Sequence, residues 1–219
     1  MDVYDNRVYN MAAVRDRQAY LKLLPGLAYV NRQIYQEFAT VLLEIRALTI
    51  CTLADLDYLE YALNHFPNAK GWNSVKSMCF SRFSDLATSP ARANELFDFM
   101  IRCRNVQEVT LHFKLGSIHI PDGLRVHRQF TFTNGMPGIK TPEQVAANYE
   151  LNKLFNLPKL QKLTIVCQWD RDGPVRCTLT MMAFWDLQDW VAEGFATHAE
   201  NVKEIIKCLP FDDPRKHGA

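Results

Sequence analysis

The sequence predicts an α/β protein, a helical N-terminal unit followed by a short, irregular αβ solenoid of about four parallel strands. Three observations predict it. The pattern apolar-x-x-apolar-x-apolar occurs four times, as Ile45/Leu48/Ile50, Val75/Met78/Phe80, Val106/Val109/Leu111 and Leu160/Leu163/Ile165. The last two apolar positions of each copy alternate, as in a strand with one buried face. A stretch of helical periodicity precedes each of the last three copies. The copies begin at positions 45, 75, 106 and 160, a near-constant step until an insertion lengthens the last. Strand–helix–strand units repeated at a constant step give parallel strands joined by right-handed crossovers. A doubly wound sheet is the competing architecture, and equal spacing favours the solenoid.

Each element has its own local reason. The first connecting helix, LADLDYLEYALNHF, opens at Ala54 or Asp55 and carries Leu56, Leu59, Leu63 and Phe66 at helical spacing. The second opens at Ser89-Pro90, an N-cap with proline at the first helical position, and presents Ala93, Leu96, Phe97, Met100 and Ile101. The third opens in the same way at Thr141-Pro142-Glu143 and carries Val145, Tyr149, Leu151 and Leu154. The insertion, 115–140, reads as a β-hairpin: SIHI and RVHRQFTF alternate on either side of Pro121-Asp122-Gly123, and a Gly/Pro loop follows. Cys167 and Cys177 flank WDRDGPVR, a turn that predicts a second hairpin with the two cysteines facing each other. Residues 183–209 read as a helical cap over the end of the solenoid, with Phe184, Leu187, Trp190 and Val191 in one stripe and Val202, Ile205, Ile206 and Leu209 in another. Gly194 is placed to break or bend it. The domain boundaries that follow are 1–43 for the helical unit, 44–210 for the repeat region and 211–219 for a polar tail.

The turn signature L-x-x-L-x-L-x-x-N of leucine-rich repeats is only partly present. Its asparagine position is held by Arg82 or Phe83, by Lys114, and by Cys167 or Gln168. Without a ladder of buried asparagines, the repeats are expected to be irregular.

Composition limits the function classes. A chain of 219 residues with 48% hydrophobic and 22% charged residues matches an ordinary globular protein. A net charge of +1 argues against nucleic acid or an anionic membrane surface as partner. No apolar run approaches the roughly 18 residues of a membrane helix. Residues 1–10 carry no secretory pattern, and the abrupt start suggests a truncated chain. Six cysteines without C-x-x-C pairs fit reduced thiols in the cytoplasm or nucleus.

The N-terminal unit carries two helical patches. Val8, Tyr9 and Ala12 line the first; Leu27, Val30, Ile34, Phe38 and Val41 line the second. Arg32 and Gln36, and Gln33 and Glu37, are neighbours one turn apart on its polar side. Two motifs stand out: Asn6, Arg7 and Tyr9 in DNRVY, and Asn31, Arg32, Gln33 and Glu37 in VNRQIYQEF. This combination resembles fungal F-box-like domain proteins, over about the first 80 residues. The resemblance implies that the asparagine–arginine pair bridges segments of a helical unit. It also implies a Skp-type adaptor of a cullin ubiquitin ligase as partner. The Leu-Pro dipeptide by which such proteins dock the adaptor has no counterpart in Met1-Asp2-Val3.

No catalytic, cofactor-binding or metal-binding set emerges. There is no phosphate-binding glycine loop, no G-x-S-x-G elbow and no H-E-x-x-H. The candidate binding residues lie in the insertion: His119 and His127, which alternation places across the hairpin, and Phe130 and Phe132. Among the thiols Cys79, beside Lys76 and Arg82, is the best placed for reactivity, and it would need a histidine partner. Trp72, Trp169, Trp185 and Trp190 are candidates for lining a pocket. The expected role is protein–protein recognition through the strand surface or the insertion. The alternative is a small-molecule enzyme or ligand-binding protein with its site near 115–140.

Overall fold

A computed structural model describes residues 32–118, 139–168, 177–198 and 204–208. Helix α1 (Arg32–Ile45) leads into strand β1 (Ala47–Ile50), helix α2 (Leu53–Asn64), a 3-10 turn and short helix α3 (Lys70–Ser74). Strand β2 (Ser77–Phe80), short helix α4 (Phe83–Leu86), helix α5 (Pro90–Arg102) and strand β3 (Glu108–Lys114) follow. After a 3-10 turn at Leu115–Ile118 come helix α6 (Pro142–Asn148), a 3-10 segment at Leu151–Asn156 and strand β4 (Lys162–Gln168). Helix α7 (Cys177–His198) and strand β5 (Glu204–Cys208) complete the described chain.

The sheet is all parallel and its order is β1-β2-β3-β4-β5, without reversal. A doubly wound sheet needs a point where the order reverses, and none exists among the described strands. Register aligns the repeats: Leu48, Met78, Val109, Leu163 and Ile205 form one row, and Ile50, Phe80, Leu111, Ile165 and Lys207 another. From β2 to β4 these rows are fully buried against the apolar faces of α2, α5, α6 and α7. From β2 to β4 the alternate rows are half-buried or exposed, while Thr49 in β1 is buried. One face of the sheet therefore carries the helices and the core.

Capping explains where the helices start. Thr52, rather than Ala54 or Asp55, opens α2: its hydroxyl accepts from Asp55 N at 3.2 Å, while Asp55 Oδ2 accepts from Thr52 N at 2.8 Å and Cys51 N at 3.0 Å. Ser89 and Thr141 cap α5 and α6 as expected, each with proline at the first turn. The third periodic stretch is not one helix. Helix α6 ends at Asn148, Glu150 adopts the left-handed conformation with φ 52°, and a 3-10 segment resumes. That break still turns Leu151 and Leu154 into the core.

Four expectations are corrected. Residues 183–209 are not a helical cap throughout: α7 starts earlier, and Glu204–Cys208 is a fifth strand on the edge of β4. The sequence EIIKC fits both periods, and the unpaired edge of β4 offers its backbone hydrogen bonds only to a strand. Gly194 neither ends nor interrupts α7; a Cβ there would lie 2.1 Å from Phe155 Cζ, so glycine admits the Phe155 ring against the helix. Cys177 begins α7 instead of the return strand of a hairpin, and Cys167 is a free thiol buried on the core face. The described part of the apolar stripe of α1 is only partly packed: Phe38 is half-buried, Ile34 and Val41 are exposed, and Leu43, off the stripe, packs on the core. Ile45, the first apolar residue of the first copy, is exposed as well.

At the exits of the strands the core is aromatic. The Phe83 ring lies 5.2 Å from Phe113, 5.9 Å from Phe97, 6.0 Å from Tyr149 and 6.1 Å from Phe80. These edge-on and tilted contacts tie three repeats together. Phe83→Ala is expected to lower unfolding free energy by about 3–5 kcal/mol in urea titration, the cost of a large buried aromatic truncation. Gly194→Ala is expected to cost about 1–3 kcal/mol by overpacking against Phe155, and Phe155→Leu should recover part of it.

Candidate functional site

The face of the sheet on which none of the described helices packs is the candidate site. Strand alternation builds it: Ser77 and Cys79 on β2, Thr110, His112 and Lys114 on β3, and Thr164, Val166 and Gln168 on β4 point away from the buried rows. All of these are half-buried. In register, Cys79 pairs with Thr110 and Thr110 with Thr164, so a row of short polar side chains crosses the sheet.

At the centre of this face a thiol, an imidazole and an amide stand in line. Cys79 Sγ lies 3.7 Å from His112 Nε2, and His112 Nδ1 lies 2.7 Å from Gln168 Nε2. The three residues come from three adjacent strands. Burial pushes the Cys79 thiol up to about 11, with nearby Cys51 adding to the shift, and burial pulls His112 below its usual value. Both shifts favour the uncharged form, so the pair is a neutral thiol beside a neutral imidazole at pH 7. Cys103 and Cys167, inside the core, are pushed up to about 12 by burial.

Charged groups frame the row. Lys114 pairs with Asp85 at 2.9 Å, and Arg82 shares that carboxylate at 2.8 Å. Ser77 Oγ donates to Glu108 at 3.3 Å, and Lys76 pairs with Glu44 at 3.2 Å. Arg82 and Lys76, the sequence neighbours of Cys79, are thus engaged elsewhere. The partner that Cys79 finds is His112.

The strand entries carry a second polar feature. Asn105 Nδ2 donates to Asn73 O at 2.6 Å, and Lys159 Nζ donates to Asn105 Oδ1 at 2.6 Å. Two open clefts of about 560 and 630 Å³ share Asn73 and Asn105. Their walls mix amide, charged and apolar groups, and among the described residues no group of three His, Cys, Asp or Glu could hold a metal.

Of the sequence candidates, His119, His127, Phe130 and Phe132 lie outside the described residues, as do Asn6, Arg7, Tyr9 and Asn31. The foot of the insertion is described: Leu115–Ile118 is a 3-10 turn where the first hairpin strand was expected to begin. Its ends are joined by Lys140 N donating to Ile118 O at 2.9 Å and Lys140 Nζ donating to Ser117 O at 2.9 Å. Arg32 lies in α1, and Gln33 Nε2 donates to exposed Glu37 at 2.9 Å. The tryptophans do not share a pocket: Trp72 lies under Arg102 and against Phe99, Trp190 packs on Phe155, Trp185 is exposed, and Trp169 is outside the described residues. No helix among the described residues is long and apolar enough to cross a membrane.

His112 provides a direct check on burial of this face. Its ring resonances are expected to titrate below the usual 6.5 in the folded protein. A depressed folded value means that the unfolded chain binds more protons as pH falls below about 6.5. The folded state therefore loses stability there, and His112→Gln should show a shallower fall of Tm between about pH 7 and pH 5. Comparison with known proteins finds no matching family model, no matching curated protein and no matching solved structure.

Proposed function

We propose that this chain is a protein–protein recognition module that binds its partner on the candidate face of the sheet. The observation that carries this reading is the one-sidedness of the sheet. Buried rows face the helices, while Ser77, Cys79, Thr110, His112, Thr164 and Gln168 form a half-buried polar band on the other side. Short side chains on a parallel sheet offer a rigid platform with little conformational entropy to lose on binding. The described repeats then act as a short irregular solenoid, whose strand surface is the usual place for a partner.

The resemblance of residues 5–9 and 30–38 to F-box-like proteins extends the reading: the partner held by the sheet would be a substrate delivered to a cullin-type ubiquitin ligase. Affinity purification of the tagged chain from its source, followed by mass spectrometry, tests both levels. A partner that is recovered with the native chain and with Glu95→Arg on the outer face of α5, but is lost with Thr110→Arg, supports the sheet as the binding surface. Retention with Thr110→Arg sinks it. Recovery of a Skp-type adaptor and cullin supports the ligase reading, and their absence from a complex that retains the partner removes it.

A further inference from the structure

We propose that Cys79, His112 and Gln168 form a base-assisted nucleophilic thiol that accepts an acyl group from an activated ester or thioester. This goes beyond recognition and does not rest on it, because a sheet can bind a protein with no reactive group on it. The warrant is the arrangement of the three side chains. A thiol within reach of an imidazole whose second nitrogen is held by a third group is the layout that nucleophilic catalysis requires. Here the thiol–imidazole separation is 3.7 Å and the imidazole–amide separation 2.7 Å. Each member comes from a different strand of one rigid sheet, and the three are joined in a line across it. Chance proximity accounts for a pair more easily than for a line of three.

The chemistry is specific about protons. For His112 to act as base, Nε2 must be unprotonated, so Nδ1–H donates to the Gln168 side chain. The amide oxygen and nitrogen exchange places by a half-turn about Cγ–Cδ, so Gln168 serves this tautomer as readily as the other. Cys79 Sγ adds to the acyl carbon while its proton passes to His112 Nε2. The carbon–oxygen or carbon–sulfur bond to the leaving group breaks, and the departing alkoxide or thiolate takes that proton from His112. The products are S-acyl Cys79 and an alcohol or thiol, with no change of oxidation state. Thr110 is the residue in register with Cys79 on the same face.

Burial makes the role of the base measurable. A thiol pushed up to about 11 is almost wholly protonated at neutral pH, so its unassisted reaction is slow. Other cysteines serve as internal references: Cys51, Cys103 and Cys167 are buried. Cys51, just past the end of β1, is the titratable group that acts on Cys79, and Lys114, paired with Asp85, and Glu108 share β3 with His112.

The test uses the full chain with p-nitrophenyl acetate near neutral pH, followed by peptide mapping. A burst of one equivalent of nitrophenolate with the acetyl group on Cys79 is expected, and the rate at Cys79 should exceed that at Cys51, Cys103 and Cys167. His112→Ala should slow acetylation of Cys79 by about 100-fold, within the range for loss of a general base. It should also move the rate profile to the alkaline side, where the thiol ionises unaided. His112→Gln, which keeps a polar side chain in the face, guards against a folding effect, and circular dichroism checks both variants. Gln168→Ala should slow the reaction less than either. Unfolding in urea should abolish the dependence on His112. Acetylation of Cys79 no faster than that of the buried cysteines overturns the proposal. So does an unchanged Cys79 rate and profile in folded His112→Ala and His112→Gln.

Discussion

The constraint on which the structure depends is that the strand order never reverses. Every parallel connection from one strand to the next must leave the sheet and return, and connections of one hand return on the same side. Helices α2, α5, α6 and α7 therefore share one face, and they bury the rows that contain Met78, Phe80, Val109, Leu111, Leu163 and Ile165. No copy could bury those residues alone. Each strand completes the floor under the next helix, so the core is a property of the array. The same constraint leaves the second face without a layer of the described helices, and most of its alternate positions carry polar residues.

The two ends of the strands solve the problem of joining irregular repeats in different ways. At the entries the joint is polar and periodic. Gln107 N and Glu108 N both donate to Lys76 O, and Gln161 N and Lys162 N both donate to Gln107 O. The Asn73–Asn105–Lys159 chain of hydrogen bonds runs alongside. At the exits, where regular leucine-rich repeats would place asparagine, the joint is aromatic: Phe83, Phe113 and Tyr149 meet edge to face, and Ser84 Oγ accepts from Lys114 N at 3.0 Å. Stacked rings impose less exact spacing than a hydrogen-bonded ladder does. That tolerance fits a chain whose fourth copy follows a long insertion.

Much of this was legible in the residues, and the failures have physical causes. The four strands were readable because alternation with a fixed inward face leaves a strong signal, and Ser89-Pro90 and Thr141-Pro142 mark helix starts by local chemistry alone. Strand β5 was missed because Val202, Ile205, Ile206 and Leu209 fit a helical stripe, and pairing with the free edge of β4 is a non-local interaction. The stripe of helix α1 is packed only in part, since Phe38 is half-buried while Ile34 and Val41 are apolar yet exposed. The Cys79–His112 contact joins residues 33 apart. Charge near Cys79 in the sequence pointed to Lys76 and Arg82, but both are drawn to carboxylates, Glu44 and Asp85. Aligning the repeats by register would have set Thr110 opposite Cys79 and His112 two residues on. The resemblance at the N-terminus and the histidines of the insertion fall outside the described residues.

The candidate face also explains how the sheet can hold a thiol and an imidazole together without an ion pair. Partial burial raises the thiol and lowers the imidazole, so each group is driven toward its neutral form. A thiolate–imidazolium pair at the same place would have to recover the desolvation of two charges. A neutral pair has no such cost, and its one strong hydrogen bond, His112 to Gln168, satisfies the ring nitrogen that faces β4. The arrangement is therefore stable in the free protein and ready to move a single proton. Covering this face with a partner would desolvate the pair further and hold it in the neutral state it already has in the free protein.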